Sequence, residues 1–422
     1  MEETRIVLRN VGKIDPMKVE DYVAHQGYDG LRKALNLSQD EIIAIISESG
    51  LRGRGGAGFP AGRKWSLTKN VDAEQKYIIC NADEGEPGTN KDRVILAGDP
   101  FSVFEGMTIA GYATGASKGF IYLRTEYPYL RNPLKTALAD ARAKGYLGTN
   151  IMGSGFDFDI ELYSGAGAYV CGDETALIES LEGKRGEPRY KPPYPGVQGL
   201  WGSPTVVNNV ETLANVAQIL ERGAEWFKSI GAPTCTGTKL FTLCGNISRP
   251  GVYEFPMGTN LKDLFEQVGG GCPNGKALYA IQTGGASGRI IRADQIDMAM
   301  DVETCASQGA SLGSGAIMFI DETQDFLGLL ENLMEFFVDE SCGKCTPCRE
   351  GNMRMLQILH KFDDGEADEL DIKNLQDLAD TMNLSSVCGL GQTAPSAVIS
   401  SLEHFRSVFD NAIERGRCGC QN

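Results

Sequence analysis

The spacing of apolar and polar positions changes character along the chain and divides it into three regions. In the first, Tyr22, Val23, Leu31 and Leu35 anchor a helical segment over 16–36. Ser38-x-x-Glu41 reads as a capping box ahead of Ile42, Ile43, Ile45 and Ile46, and that helix ends at Gly50. Tyr77–Cys80 and Phe120–Leu123 are short apolar runs that predict strands, and Phe156–Leu162 alternates as a strand does. A helix follows over Ala176–Leu181, then a rigid extended segment, Lys191-Pro-Pro-Tyr194-Pro-Gly, and then Val206–Thr212 enters another helix. Composition breaks at Gly231–Thr238. Strands are expected at Lys239–Cys244, Gly251–Phe255, Ala277–Gln282 and Ala316–Phe319, with a helix at Leu261–Val268. From Gln324 the pattern is helical. Gln324–Glu340, Thr346–Phe362, Leu370–Met382 and Ser396–Glu414 are amphipathic with short connections, so an antiparallel four-helix bundle is expected. The expected domains are an α/β unit over 1–230, a β-grasp (ubiquitin-like) unit over 236–322 and the bundle over 323–422.

The 422 residues, 42% hydrophobic and 23% charged, suit a multidomain globular protein. The net charge of −16 argues against nucleic acid, whose phosphates need a basic face, and against docking on an anionic membrane. No apolar run approaches the roughly 18 residues of a spanning helix, and the start, Met-Glu-Glu-Thr-Arg-Ile-Val, has no signal-peptide pattern. A cytoplasmic protein without membrane insertion is the expectation. His25, His360 and His404 are scattered and do not form a catalytic or metal-binding set.

Twelve cysteines are present, most of them isolated and expected to be reduced core residues. Cys342, Cys345 and Cys348 are different: they stand at three-residue spacing, with Cys388 following in Ser-Ser-Val-Cys388-Gly-Leu-Gly-Gln. One triple knuckle with a distant fourth thiolate is the pattern of a [4Fe–4S] site. It fits zinc less well, because zinc favours paired Cys-x2-Cys units or Cys with His. Thr346-Pro347 opens a helix there, and helix N–H groups favour an anionic cluster.

Leu51-Arg-Gly-Arg-Gly-Gly-Ala-Gly-Phe-Pro60 is too poor in side chains to pack a core. It reads as an anion nest or as a flexible turn; it lacks the G-K-[ST] of a P-loop and follows a helix, unlike a dinucleotide fingerprint. Asn81-Ala-Asp83-Glu84-Gly-Glu86 ends the first strand, at the edge where open α/β sheets bind ligands. Gly165–Thr175 is a second glycine-rich turn, carrying Asp173 and Glu174. Asn208 and Asn209 either cap the next helix or bond a heterocycle or phosphate.

Taken together these stretches, with Glu340-Ser-Cys-Gly-Lys-Cys-Thr-Pro-Cys-Arg, resemble the NADH-binding flavoprotein subunit of respiratory complex I and its relatives in NAD-linked [FeFe]-hydrogenases and formate dehydrogenases. The likeness covers nearly the whole chain. Arg5–Pro16 and Cys388–Pro395 resemble the hydrogenase branch, whose larger members add a thioredoxin-like [2Fe–2S] domain and a ferredoxin-like domain that these 422 residues do not include. Cys418-Gly-Cys420 stands where the second would begin, either as a plain tail or as half of a metal site.

The resemblance implies a Rossmann-like FMN and NAD domain, bound FMN, NAD(H) and one [4Fe–4S] cluster, and an NADH dehydrogenase (diaphorase) activity. Gly53, Arg54, Gly55, Gly56 and Lys64 are implied around the FMN phosphate and ring edge, and Asn81, Asp83 and Glu84 at the ribityl chain or ring. Gly172, Asp173 and Glu174 are implied at the flavin face, and Val207, Asn208, Asn209 and Thr212 toward the phosphate end. Phe59, Glu86, Tyr169 and Tyr194 are implied at NAD. Lys64, Glu86 and Glu174 would stand nearest the chemistry, and Cys342, Cys345, Cys348 and Cys388 would ligate the cluster. Asp173, where many members have Glu, and Leu67, where many have an aromatic residue, are departures that bear on nucleotide affinity. The implied partners are a small thioredoxin-like [2Fe–2S] subunit and a larger iron–sulfur or hydrogenase-type subunit. A cluster scaffold without nucleotide turnover and a zinc-stapled binding protein are the other classes of function.

Overall fold

A computed structural model of the chain describes residues 1–419, with side chains to residue 416; the Cys418 side chain and Cys420 lie outside it. Strands β1 (Tyr77–Ala82), β2 (Lys118–Leu123), β3 (Asp159–Ser164) and β4 (Thr205–Asn209) form a wholly parallel sheet in the order β3-β2-β1-β4. The chain builds outward from β1 to β3, then crosses to place β4 on the other side of β1. The crevice at such a reversal, outside the carboxyl ends of the strands, is where α/β sheets bind ligands. Register puts Asn81 beside Asn209 and Cys80 beside Asn208 at that edge.

Helix Pro100–Thr114 lies under this sheet and is buried on every side but Tyr112. It packs on helix Val210–Arg222 so tightly that a Cβ at Gly106 would stand 2.1 Å from the Leu213 carbonyl oxygen. The expected helical segment over 16–36 is two helices, Val19–Ala24 and Asp29–Ala34. Gln26 and Tyr28 take left-handed φ of 65° and 64° between them. The buried Glu105 carboxylate fixes the break: it accepts from Tyr22 Oη at 2.5 Å, Tyr28 N at 3.0 Å and Leu31 N at 2.8 Å. The capping box forms as expected, Ser38 and Glu41 capping each other at the start of Gln39–Glu48.

The composition break is a small hairpin, β5 (Gly231–Ala232) with β6 (Cys235–Thr236). Then β7 (Thr238–Gly245), β8 (Gly251–Pro256), β9 (Leu278–Thr283), β10 (Arg289–Arg292) and β11 (Ala316–Asp321) make a mixed sheet in the order β10-β9-β11-β7-β8. Its central pair, β11 and β7, is parallel and the other pairings are antiparallel. The four-residue β10 is an edge strand without an apolar run to announce it; Ser400 Oγ satisfies its Ile290 N–H at 2.8 Å.

The C-terminal region is helical, but not as four continuous helices. Phe326–Glu340, Thr346–Asp364 and Glu369–Ser385 follow expectation. A short helix, Gly389–Thr393, follows Cys388, and the last segment splits into Ser396–His404 and Arg406–Gly419. The split falls at Phe405, whose ring lies 4.8 Å from Phe326 and 5.2 Å from Tyr279 and whose backbone (φ −130°, ψ 34°) leaves the helix. No helix among the described residues is long and apolar enough to cross a membrane.

The N-terminal segment is tied to the mixed sheet through one side chain. Glu254 in β8 accepts from the amides of Ile6 (3.0 Å), Val7 (2.9 Å) and Leu8 (2.8 Å) and from Thr238 Oγ1 (2.5 Å), and is fully buried. Glu254→Ala leaves three buried N–H groups without acceptors. At about 1 kcal/mol or more for each orphaned donor, the expected loss is roughly 3 kcal/mol of stability. Chemical denaturation measures it, and hydrogen exchange should rise first at residues 6–8; unchanged exchange there would show that Glu254 does not hold the segment.

Candidate active site and cysteine cavity

A cleft of about 1250 Å³ opens at the carboxyl edge of β1 and β4. Single-ligand pockets run to roughly 300–1,000 Å³, so this one has room for two ligands side by side. Every residue that the sequence nominated for flavin or nucleotide lines it, from Gly53 through Thr212. The mixed sheet supplies the opposite wall through Gly284, Ser287, Gly288 and residues 310–314, which sequence reading did not nominate.

The glycine loop is pinned rather than flexible. Gly53 N donates to Phe59 O at 2.9 Å, Arg52 Nε to Gly58 O at 2.9 Å, and Arg52 pairs with Glu303 at 2.7 Å. Gly56 has φ 132°, and a Cβ at Gly55 would stand 3.1 Å from Asn209 Cβ, so a side chain there would crowd the cleft floor. Arg54 turns beneath the loop, donating to the carbonyls of Arg52, Thr236 and Thr238, while its amide donates to Thr212 Oγ1 at 2.8 Å. Asn209 caps helix Val210–Arg222, as one reading of the pair expected. Asn208 Oδ1 instead accepts from Trp65 Nε1 at 2.9 Å.

Polar groups converge along the cleft. Lys64 Nζ lies 2.9 Å from Glu174 and 3.0 Å from the Val207 carbonyl. Lys191 lies between Asp173 (3.4 Å) and Glu174 (3.6 Å). Asn81 Nδ2 donates to Gly172 O at 2.9 Å. Asp83 is pushed up to about 7 by burial, against the pull of Arg124, and its buried Oδ2 has no partner. A carboxyl in that condition is a hydrogen-bonding group waiting for a ligand. Glu84 lines the cleft, but its oxygens accept from Asp92 N (2.8 Å), Arg93 N (3.2 Å) and Tyr127 Oη (3.0 Å), so it holds the start of the next helix. Glu86 accepts from Tyr169 Oη and from Ser287 N at 2.7 Å, which joins the two walls. Phe59 and Tyr194 stand exposed at the cleft's edge, as does Leu67.

The four cysteines of the knuckle motif come together. Cys345 is the N-cap of helix Thr346–Asp364, Cys348 lies in its first turn, and Cys388 precedes the short helix Gly389–Thr393. With Cys342 they line one small cavity closed by Val170, Pro188 and Leu390. Among the described residues they do not place three sulfurs within 4.8 Å of one another. Four thiolates on one zinc, at about 2.3 Å each, would stand about 3.8 Å apart, so the set is too wide for a single ion and suits a cluster. Cys348 also accepts from Asn352 Nδ2 at 3.5 Å and shares a hydrogen bond with Ser341 Oγ at 3.3 Å, and hydrogen bonds to cluster sulfurs tune cluster potential. Burial raises the Cys348 thiol and pushes Cys388 up to about 11, so metal binding to these sulfurs would be coupled to proton release. Cys80, Cys171 and Cys305 are buried, as expected of core cysteines, and Cys244 and Cys272 are half-buried; Cys235 is buried but not isolated, lying 3.2 Å from Glu303 and grouped with Asp301.

Val170 and Leu390 line both the cleft and the cysteine cavity, so the partition between them is one side chain thick there. Tyr169 spans the same partition. Its hydroxyl meets Glu86, its amide donates to Glu340 Oε2 at 2.8 Å, and its ring lies 5.1 Å from Phe336 on the helix leading into the knuckle.

Comparison with known proteins places these features in one lineage. Residues 46–218 match the Nuo51 FMN-binding domain, 240–291 the SLBB domain, and 328–412 the NADH-ubiquinone oxidoreductase-F iron–sulfur binding region. The NADP-reducing hydrogenase subunit HndC of Solidesulfovibrio fructosivorans is 48% identical over 417 residues, which is 99% of this chain and 85% of that protein. An NADH-quinone oxidoreductase subunit of Rhizobium meliloti (strain 1021) is 45% identical over 414 residues, 98% of each. A crystal structure of an NAD+-reducing [NiFe]-hydrogenase in the H2-reduced state superposes with a TM-score of 0.82 at 40% identity, over 90% of this chain. This chain spans 63% of that hydrogenase chain's length. The chain belongs to the family of FMN-binding, iron–sulfur subunits shared by the NADH-quinone oxidoreductases and their hydrogenase relatives.

Proposed function

We propose that this chain is the nucleotide-oxidising or nucleotide-reducing subunit of a multisubunit, hydrogenase-type oxidoreductase, binding NAD(H) and FMN in the cleft and a [4Fe–4S] cluster in the cysteine cavity. The observation that carries the reading is the shared partition: Val170 and Leu390 separate a two-ligand cleft from a four-thiolate cavity. When bound, a flavin accepts a hydride from nicotinamide and passes single electrons to a cluster, a conversion that neither partner performs alone.

The chain's residues then have distinct tasks. The Gly53–Gly56 loop, Asn209 and Thr212 hold the flavin's phosphate end. Asn81 orients the ring through its bond to the Gly172 turn, and Asp83 offers it a carboxyl that titrates near neutrality. Lys64, fixed by Glu174 and the Val207 carbonyl, supplies positive charge at the ring edge, an electrostatic role that needs no proton transfer. Glu86 receives the nicotinamide side, and Phe59 and Tyr194 flank the nucleotide. Val170 and Leu390 exclude water from the cluster while keeping the gap short. The division into 1–230, 236–322 and 323–422 draws support from the two separate sheets and the helical region, and the parallel central pair of the mixed sheet supports a β-grasp.

Electrons leave on the far side of the knuckle, toward a small thioredoxin-like [2Fe–2S] subunit and a larger iron–sulfur subunit. Support comes from a basic collar in a chain of net charge −16. Arg185 donates to Cys342 O at 2.6 Å, Arg349 to Gly343 O at 2.7 Å, and Lys344 to Pro188 O at 2.7 Å; Glu187 lies 3.3 Å from Lys344 and 3.9 Å from Arg185, and Glu350 lies 3.1 Å from Arg349, so the collar keeps a small positive excess. A collar of this sign would steer an acidic carrier. Complex I and NAD-dependent formate dehydrogenase are the other assemblies of this family, and copurification with subunit identification separates them.

The anaerobically purified protein should show flavin peaks over broad iron–sulfur absorbance and oxidise NADH with an artificial acceptor. A colourless protein sinks the proposal, and absorbance without NADH oxidation makes the chain a scaffold. Cys345→Ala should abolish the cluster absorbance while retaining FMN, because the flavin-facing residues lie in 53–212; simultaneous loss of flavin would show that the two sites are not separable. Glu86→Gln weakens one charge-assisted contact, at a cost of about 1.5 kcal/mol, so KM for NADH should rise about tenfold with kcat little changed. Steady-state kinetics check this, and an unchanged KM would remove Glu86 from the nucleotide site.

A further inference from the structure

Five ionisable side chains, all 3% exposed or less, gather at the inner end of the cleft: Arg54, Lys91, Lys239 and Asp92 line it, and Glu211 lies behind them. Glu211 accepts from Lys239 Nζ at 2.5 Å and faces Lys91 Nζ at 3.0 Å. Asp92 faces Lys91 at 2.7 Å and accepts from Asn209 Nδ2 at 2.6 Å. Arg54 is different. Its guanidinium donates only to main-chain carbonyls, at 2.7–3.1 Å, and among the described residues no carboxylate lies within salt-bridge distance of it. Three cations therefore face two carboxylates in a buried place, where an unbalanced charge is costly. Glu84 also faces Lys91, but burial and the neighbouring Asp92 raise its carboxyl, and its oxygens are taken by the amides of Asp92 and Arg93.

The excess lies where an anion is expected. Lys239 Nζ is 3.3 Å from the Arg54 carbonyl oxygen, and Lys239, Thr212, Asn209 and Gly55 all line the cleft. Lys239 comes from β7, in the mixed sheet, whereas the other residues belong to the parallel-sheet unit. We propose that Lys239 is the specificity-determining cation for the flavin's phosphomonoester, selecting the mononucleotide over the dephosphorylated flavin and joining the two sheet units through the bound phosphate. The inference rests on the FMN reading above.

The groups facing Lys239 are Glu211, Lys91 and Arg54. Burial first, with the repulsion of Lys91 and Arg54, pulls its ammonium down to about 8, against the attraction of Glu211. A phosphate dianion favours the charged form, so binding is coupled to proton uptake and weakens as pH rises through 8.

The test is fluorescence titration of the full-length, flavin-stripped protein with FMN and with riboflavin, at pH 7 and pH 9. The wild type should prefer FMN by at least a hundredfold at pH 7, and less at pH 9. Lys239→Met should lose at least tenfold in FMN affinity, keep its riboflavin affinity and lose the pH dependence. Because that variant leaves Glu211 with one cation fewer, Lys239→Met/Glu211→Gln is measured beside it, with circular dichroism to establish folding, and should show the same selective loss. FMN bound as tightly by a folded variant as by the wild type overturns the role of Lys239 and leaves the FMN reading standing. A wild type that binds neither flavin overturns both.

Discussion

Two-electron and one-electron chemistry meet in one chain only if their carriers lie close together and water stays out of the gap. Here the constraint falls on Val170 and Leu390, which line the cleft on one side and the cysteine cavity on the other. Both belong to segments fixed from elsewhere. Val170 lies in the turn that Tyr169 ties to Glu86 and Glu340, and Leu390 lies in the short helix that Cys388 opens. The parallel sheet sets the position of the first and the helical region that of the second. Neither unit makes the partition alone, which explains why the regions pack with continuous contact rather than hanging on linkers. One buried cluster of apolar residues runs from Ile79 in β1 through Val170 and Leu177 to Cys348 and Met382.

The mixed sheet contributes no nominated chemistry, yet it closes the cleft. Its loops at 284–288 and 310–314 form one wall, Ser287 N bonds Glu86, and Lys239 reaches beneath the glycine loop. The parallel sheet by itself offers an open edge at the reversal between β1 and β4; a second wall converts that edge into a cleft, and walls that exclude part of the water strengthen the field of charged groups such as Lys64.

What sequence revealed and what it hid follow from locality. The cysteine knuckle, the glycine loop and the acidic run after β1 are contiguous motifs, so their chemistry could be read without coordinates. Strands β1, β2, β7 and β11 were legible from their apolar runs, whereas β4, whose Val206–Asn209 was read as the entry to a helix that in fact begins at Val210, and β10, four residues at a sheet edge, were not. The break at Gln26–Tyr28 was hidden because its cause, Glu105, lies 77 residues from Tyr28. The split at Phe405 has the same origin, since Tyr279 and Phe326 come from other elements. Lys91, Asp92 and Lys239 look like ordinary charges in sequence, and their meaning appears only when Glu211 draws two of them to one carboxylate. Glu84 shows the opposite case: a nominated ligand contact whose oxygens the helix beginning at Lys91 already uses.

The departure at Asp173 takes on a definite meaning in this setting. Its Oδ1 caps helix Glu174–Leu181, accepting from Thr175 N at 2.8 Å and Ala176 N at 3.2 Å. A short carboxylate does this better than a glutamate, whose extra methylene carries the oxygen past the first-turn amides. The remaining oxygen faces Lys191, which Glu174 also faces, and Glu174 in turn holds Lys64. The short carboxylate therefore adds order to the turn bearing Gly172 and Glu174. Asp173 thus positions Lys191, while Glu174 positions Lys64.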